Sequence, residues 1–147
     1  MQKQTVVREA VLEDCSSLTE LAWQLGHQAK GEQIKTRLLD LLRRDGHKVL
    51  VAEVGGKVAG WVHAFINRPL HKDTTVEIAG LVIDQSYRRM GIGRKLLDAV
   101  EEWAKNQGCD QVTLASNITR EGAHQFYQAV GYQRTKTQYI FRKELPK

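Results

Sequence analysis

The chain has 147 residues, 41% of them hydrophobic and 27% charged, with two prolines and two cysteines. That is the size and composition of one globular domain with a core of its own, and it argues against a disordered, fibrous or membrane-spanning protein. The 22 basic and 17 acidic residues leave a net charge of +5, which suits an anionic partner without choosing among nucleic acid, a membrane surface and a phosphorylated cofactor.

Met1 to Glu9 offers no apolar core for a signal peptide, so the expected location is the cytoplasm. Cys15 and Cys109 lie far apart and outside any Cys/His cluster, which points to ordinary reduced thiols and no metal site. A first strand is expected at "TVVREA" and a helix at "LEDCSSLTELAWQLG", where Leu18, Leu21, Ala22 and Leu25 share a face and Gly26 ends the run. "GEQIKTRLLDLLRR" predicts a second helix. "KVLVAEVGGKVAGWVHAFI" reads as two strands joined at Gly55-Gly56, a hairpin signal because both residues accept positive φ. "TTVEIAGLVI" is the next strand.

A polar, glycine-bearing turn then feeds a helix that carries Leu96, Leu97, Val100, Trp103 and Ala104 at helical spacing. "DQVTLAS" reads as a buried strand. "REGAHQFYQAV" is a helix with Ala123, Phe126, Tyr127 and Val130 on one side, capped by Gly131, and "YQRTKTQYIFRKEL" is a last strand. The expected order is β-α-α-β-β-β-α-β-α-β: an α/β, or α+β, mixed central sheet flanked by helices in a single domain over 1–147, without repeats or linkers.

The chemistry concentrates at "SYRRMGIGRKLL". A helix N-terminus leaves backbone N–H groups without intrahelical partners, and the helix dipole adds partial positive charge there. Gly91 and Gly93 let the backbone approach an anion closely, and Arg88, Arg89 and Arg94 add formal charge. A plain strand-to-helix turn with solvated arginines accounts for the same residues. The dinucleotide fingerprint is excluded because Leu96 stands where its third glycine belongs, and no Walker A string occurs.

What remains, R-x-x-G-x-G from Arg88 to Gly93, resembles the pyrophosphate-binding motif of the GNAT superfamily of acetyl-CoA-dependent N-acyltransferases. "VREAVLEDCSSL" is similar to that family's opening strand and helix, and "ASNITREGAHQFYQAVGYQRT" to its closing motif, so the likeness covers most of the chain. Gln85 stands where the family usually has proline. The resemblance implies the GNAT fold and acetyl-CoA as co-substrate, with no metal. It implies that backbone groups of Leu81, Val82 and Ile83 pair with the pantetheine arm, and that the turn of Arg88, Arg89, Met90, Gly91, Ile92, Gly93 and Arg94 cradles the pyrophosphate. Tyr127, from "FYQAVGY", is implied as the proton donor to the departing thiolate, although an aromatic at helical spacing is also ordinary packing. Asn117 matches an asparagine near the cofactor, or serves as a cap.

Glu77 is the candidate base, acting on the ammonium through water. Period-two alternation puts it on one face with Ala79 and Leu81. Many relatives carry a Glu at the position of Ala79 instead, and a salt-bridged surface Glu is the alternative. His63 and His71 are further candidates, and no H-E-x-x-H spacing supports a metal. The whole reading is an N-acetyltransferase in which the amine attacks the thioester directly, in a ternary complex, since neither cysteine fits a nucleophile motif.

A non-catalytic acyl-CoA-binding regulatory module would keep the phosphate turn and lose the acid and base. A nucleic-acid-binding domain would want interleaved basic and aromatic residues, which only "RTKTQYIFRK" half fits, so neither nucleic acid nor membrane is an expected partner. The acceptor is expected to be a small-molecule amine or amino acid, with a protein N-terminus or lysine as the alternative. Trp23, His27, Glu32, His71 and Asp73 are candidates to line its site. An exposed last strand would allow a homodimer.

Overall fold

The computed structural model describes residues 4–147. They fall into two compact units, one ending at Ala115 and the other covering Ser116–Lys147.

The first unit is built on a five-stranded sheet. Strand β1 (Thr5–Glu9) leads through a 3-10 turn (Leu12–Asp14) into helices α1 (Cys15–Gln24) and α2 (Gly31–Arg43). Strands β2 (His47–Val54), β3 (Lys57–Asn67) and β4 (Thr75–Ile83) follow, then a 3-10 turn at Gln85–Tyr87, helix α3 (Ile92–Asn106) and strand β5 (Val112–Leu114). The spatial order is β1-β2-β3-β4-β5, antiparallel throughout except for the parallel β4–β5 pair. The β2–β3 connection turns at Gly55 (φ 60°) and Gly56 (φ 83°), the positive pair a tight hairpin requires.

The two faces of the sheet bury different helices. Leu18 and Leu21 of α1 and Leu38 of α2 pack against Val49, Val51, Val58 and Val82. Residues of opposite alternation, such as Val62, Ala64, Val76 and Ile78, are buried on the other face. Helix α3 packs on β1 to β4 and buries Ile92, Leu96, Leu97, Val100 and Ala104, a stripe recurring every three to four residues. Arg8 locks the entry to this core. Its guanidinium donates to both carboxylate oxygens of Asp14, at 2.8 and 2.9 Å, and to Glu53 at 2.7 Å. Asp14 also accepts the Val11 N–H, and the Arg8 hydrogen bonds hold its carboxyl below the usual carboxylate range.

Two irregularities shape β4. Opposite it, Gly60 has no room for a side chain: a Cβ there would stand 2.9 Å from the Val82 carbonyl oxygen and 2.8 Å from Ile83 Cδ1. On β4 itself, Ala64 pairs with Ile78 while His63 pairs with Gly80, so Ala79 is an extra, bulged residue. The bulge reverses the alternation. Glu77 therefore shares its face with Gly80 and Val82, the partners of His63 and Trp61, and not with Ala79 and Leu81 as strict period two predicts.

The second unit holds helix α4 (Glu121–Ala129), whose half-buried side carries Ala123, Phe126 and Tyr127, followed by a turn at Gly131 (φ 100°). The strand expected over "YQRTKTQYIFRKEL" does not form. No ladder partner meets it among the described residues, and Tyr139, Ile140 and Phe141 are 90%, 84% and 93% exposed. Strand geometry without a partner leaves its backbone groups to water, so side-chain preference alone does not produce it.

Candidate functional site

Strand β5 meets β4 only at Val76, Glu77 and Ile78. From Ala79 to Ile83, β4 continues with no strand among the described residues on its β5 side, while β3 pairs it on the other. Leu81, Val82 and Ile83 thus lie on the stretch of β4 whose β5-side edge has no ladder partner among the described residues. Val82 is buried and the other two are partly buried, so their side chains serve packing.

The chain then turns into α3. Asp84 starts the turn, accepting the Ser86 N–H at 3.0 Å. The N–H of Gln85 donates to Gln24 Oε1 at 3.0 Å, tying the turn to the end of α1 through a hydrogen that a proline at position 85 would lack. Arg88 is extended, and Arg89 takes φ 67°, a left-handed conformation that no other non-glycine residue adopts among the described residues. Gly91 is the N-cap of α3 at φ 76°, and it has no side chain with which to cap. The first bond of the helix runs from Lys95 N–H to the Gly91 carbonyl. The donors of Ile92, Gly93 and Arg94 consequently receive no side-chain oxygen and lie at the positive end of a 15-residue helix. Arg88, Arg89, Met90 and Arg94 are exposed around them. A cap-less helix start ringed by arginines fits a pyrophosphate well. Backbone strain concentrated at such a turn is also the pattern of a ligand site.

Glu77 lies on β4 just before the bulge, partly buried, with the Asn67 side chain donating to its Oε2 at 3.4 Å. On the same face, His47 and His63 stack with ring centroids 5.3 Å apart, and His47 and Phe65 at 5.7 Å. His47 Nδ1 and His63 Nε2 are 3.1 Å apart. Burial, reinforced by His47, lowers the His63 pKa to about 4, so this imidazole is neutral at pH 7. His71 and Asp73 are exposed on the β3–β4 loop and His27 is exposed after α1. Trp23 and Glu32 instead line an open groove of about 620 Å³ between α1 and α2. No group of three or more His, Cys, Asp or Glu side chains suited to a metal occurs among the described residues.

In the second unit, burial raises the Tyr127 pKa, and the Phe126 and Tyr132 rings flank it at 5.4 and 6.2 Å. Its phenol therefore stays protonated through neutral pH and can donate a proton. Asn117 is engaged locally: its Oδ1 accepts from the N–H and hydroxyl of Thr119, and its carbonyl from His124 Nε2. That is an Asx-type turn and not a helix cap, since α4 starts at Glu121 behind Arg120 without a side-chain cap bond. Asn67 and His47 escaped the sequence reading. The signal for the Trp61, His63 and Phe65 rings is the alternation in "WVHAF", whereas nothing in sequence announces that His47 joins them or that Asn67 and Glu77 meet.

Residues 12–132 match the Acetyltransferase (GNAT) family model. The chain belongs to the GNAT family. Among curated relatives of this GNAT chain, an uncharacterized N-acetyltransferase of Methanocaldococcus jannaschii is 33% identical over 63% of the chain and 42% of its own length. An uncharacterized N-acetyltransferase of Bacillus subtilis is 39% identical over 50% of the chain and 51% of its own. The matched stretches thus span about half the length of these two relatives. An aminoglycoside N-acetyltransferase solved in complex with CoA superposes at TM-score 0.88 with 20% identity, covering 99% of this chain and 98% of its own, which establishes a shared fold.

Two substitutions at Arg89 separate strain from charge. Both remove the guanidinium, but only Arg89→Gly relieves the left-handed conformation, which costs roughly 1 kcal/mol for a residue with a Cβ. Arg89→Gly is expected to melt above Arg89→Ala in thermal unfolding, while calorimetry shows acetyl-CoA binding weakened to a similar degree in both. Equal melting of the two would show that the turn stores no strain.

Proposed function

We propose that this chain is an acetyl-CoA-dependent N-acetyltransferase that acetylates a small-molecule primary amine or amino acid by direct attack in a ternary complex. The observation that carries the reading is the continuity of two ligand-ready features: an unpaired edge of β4 running from Ala79 to Ile83, and eight residues later the side-chain-free N-cap of α3. One binds an extended amide-bearing arm and the other a pyrophosphate, in the order in which they occur along CoA. Acetyl-CoA supplies an activated acyl thioester when bound. The family match over 12–132 crosses the boundary between the two units, which supports their acting as one catalytic domain.

In this reading Glu77, oriented by Asn67, accepts the ammonium proton through water and leaves a nucleophilic amine. The Tyr127 phenol, kept protonated by burial, donates to the departing sulfur. The N–H groups of Ile92, Gly93 and Arg94, with the Arg88 and Arg89 side chains, hold the pyrophosphate, and Asn117 contributes near the cofactor through the Nδ2 its turn leaves over. Named neighbours acting on aminoglycosides agree with a small amine as acceptor. Both cysteines are free, which suits the cytoplasm.

We also assign a homodimer, formed when the segment after Gly131 adds as a strand to a second copy. Thr135 and Thr137 alternate with Lys136 and Gln138, the β-forming run Tyr139-Ile140-Phe141 follows, and those three side chains are exposed. Sedimentation of the intact chain should give two copies, and truncation after Arg134 one; a single copy in both would remove this assignment.

Steady-state kinetics test the chemistry. Tyr127→Phe is expected to lower kcat by about a hundredfold with little change in KM for acetyl-CoA. Glu77→Gln should lower kcat/KM for the amine by about a hundredfold while acetyl-CoA still binds. Full activity in both variants would rule out these roles.

A further inference from the structure

On β3 the residues Trp61, His63 and Phe65 all carry rings and all point to one sheet face, with His47 of β2 stacked beside the last two. Trp61 is anchored at the core end. It packs against the α1/α2 cluster, and its ring lies over Gly80 so closely that a Cβ there would be 3.1 Å from its Cζ3 and Cη2. The other three rings lie towards the far end of β3, partly exposed, and none belongs to the buried core. The bulge at Ala79 brings Glu77 onto the same face, directly opposite Phe65 in the ladder. Gly80, opposite His63, contributes no side chain between the carboxylate and Trp61.

We propose, building on the acetyltransferase reading, that Trp61, His63, Phe65 and His47 form a ring platform that selects an acceptor amine carrying a flat aromatic or heteroaromatic group, its ammonium directed to Glu77.

Three observations favour that occupant over a polycation or an aliphatic amine. Stacked rings present flat π faces and edges, and offset stacking adds to burial only for another π system. His63, the middle ring on β3, is neutral at pH 7 because burial, and then His47, lowers its pKa to about 4, so it does not repel an ammonium as a protonated imidazole would. Among the described residues Glu77 is the strand carboxylate next to the His63 and Phe65 rings, Glu53 at the far end of the same face is engaged by Arg8, and the adjoining β3–β4 loop carries Arg68 and Lys72 against a single acid, Asp73. A polyamine or aminoglycoside needs several carboxylates, whereas a monoamine needs one. Trp61 adds a further feature. Its buried Nε1 hydrogen has no acceptor among the described residues.

The test pairs amines that differ only in ring character. With CoA present, calorimetry on the wild-type protein should show 2-phenylethylamine binding about fivefold tighter than 2-cyclohexylethylamine, the worth of a good aromatic contact, and tighter than spermidine. Phe65→Leu and His63→Leu should each bring the ratio of the first two towards one while binding of CoA itself is unchanged, which also shows that the variants are folded. With CoA binding intact, a wild-type ratio near one, no binding of either amine, preference for spermidine, or a ratio that survives both substitutions overturns the platform alone. Failure of the wild-type protein to bind CoA overturns the acetyltransferase reading, and the platform with it.

Discussion

The parting of β4 from β5 is the constraint on which the rest depends. Three residues of parallel pairing hold the two strands together, and beyond Ile78 one edge of β4 has no strand beside it among the described residues. Unpaired main-chain groups are costly unless water or a ligand satisfies them, so a strand edge left open within a sheet is a standing invitation to a ligand with complementary amides. Everything nearby preserves that geometry. Gly60 admits β4 at a distance no side chain would tolerate, and the Gln24–Gln85 hydrogen bond ties the exit turn to α1. Strained Arg89 and left-handed Gly91 then deliver α3 without a cap.

The bulge at Ala79 has a second consequence. By inserting one residue just where β5 ends, it switches the alternation, so the residues before and after it expose opposite parities to the α1/α2 face. Glu77 comes to lie with His63 and Phe65. Without the bulge, the carboxylate and Val82 could not share a face, and either the core cluster around Val82 or the candidate base would be lost to the other side.

Much of this was legible in sequence because it depends on local rules. Gly55-Gly56 announces a hairpin through the φ values it permits, and the stripe from Leu96 to Ala104 announces α3 through its period. The glycine turn was legible for the same reason: only residues without Cβ suit a left-handed cap near a ligand. The bulge was not, because nothing in "VEIAGLV" marks which residue β3 will leave unpaired. Pairing registers are tertiary facts. The last strand misled for a related reason: Thr135, Thr137, Tyr139, Ile140 and Phe141 state a β preference, and a strand also needs an edge to join. Asn67 and Glu77 are ten positions apart on different strands, so their hydrogen bond follows from the β3–β4 register alone.

The most direct test of the central claim compares Gly91→Ala with Gly91→Glu by titrating acetyl-CoA calorimetrically. A Cβ at Gly91 meets nothing within 4 Å, so both variants bear the same left-handed strain and differ chiefly in charge at the helix start. The account predicts that Gly91→Ala retains measurable binding and Gly91→Glu loses it, at similar melting temperatures. Equal binding by the two would contradict a pyrophosphate site at the start of α3.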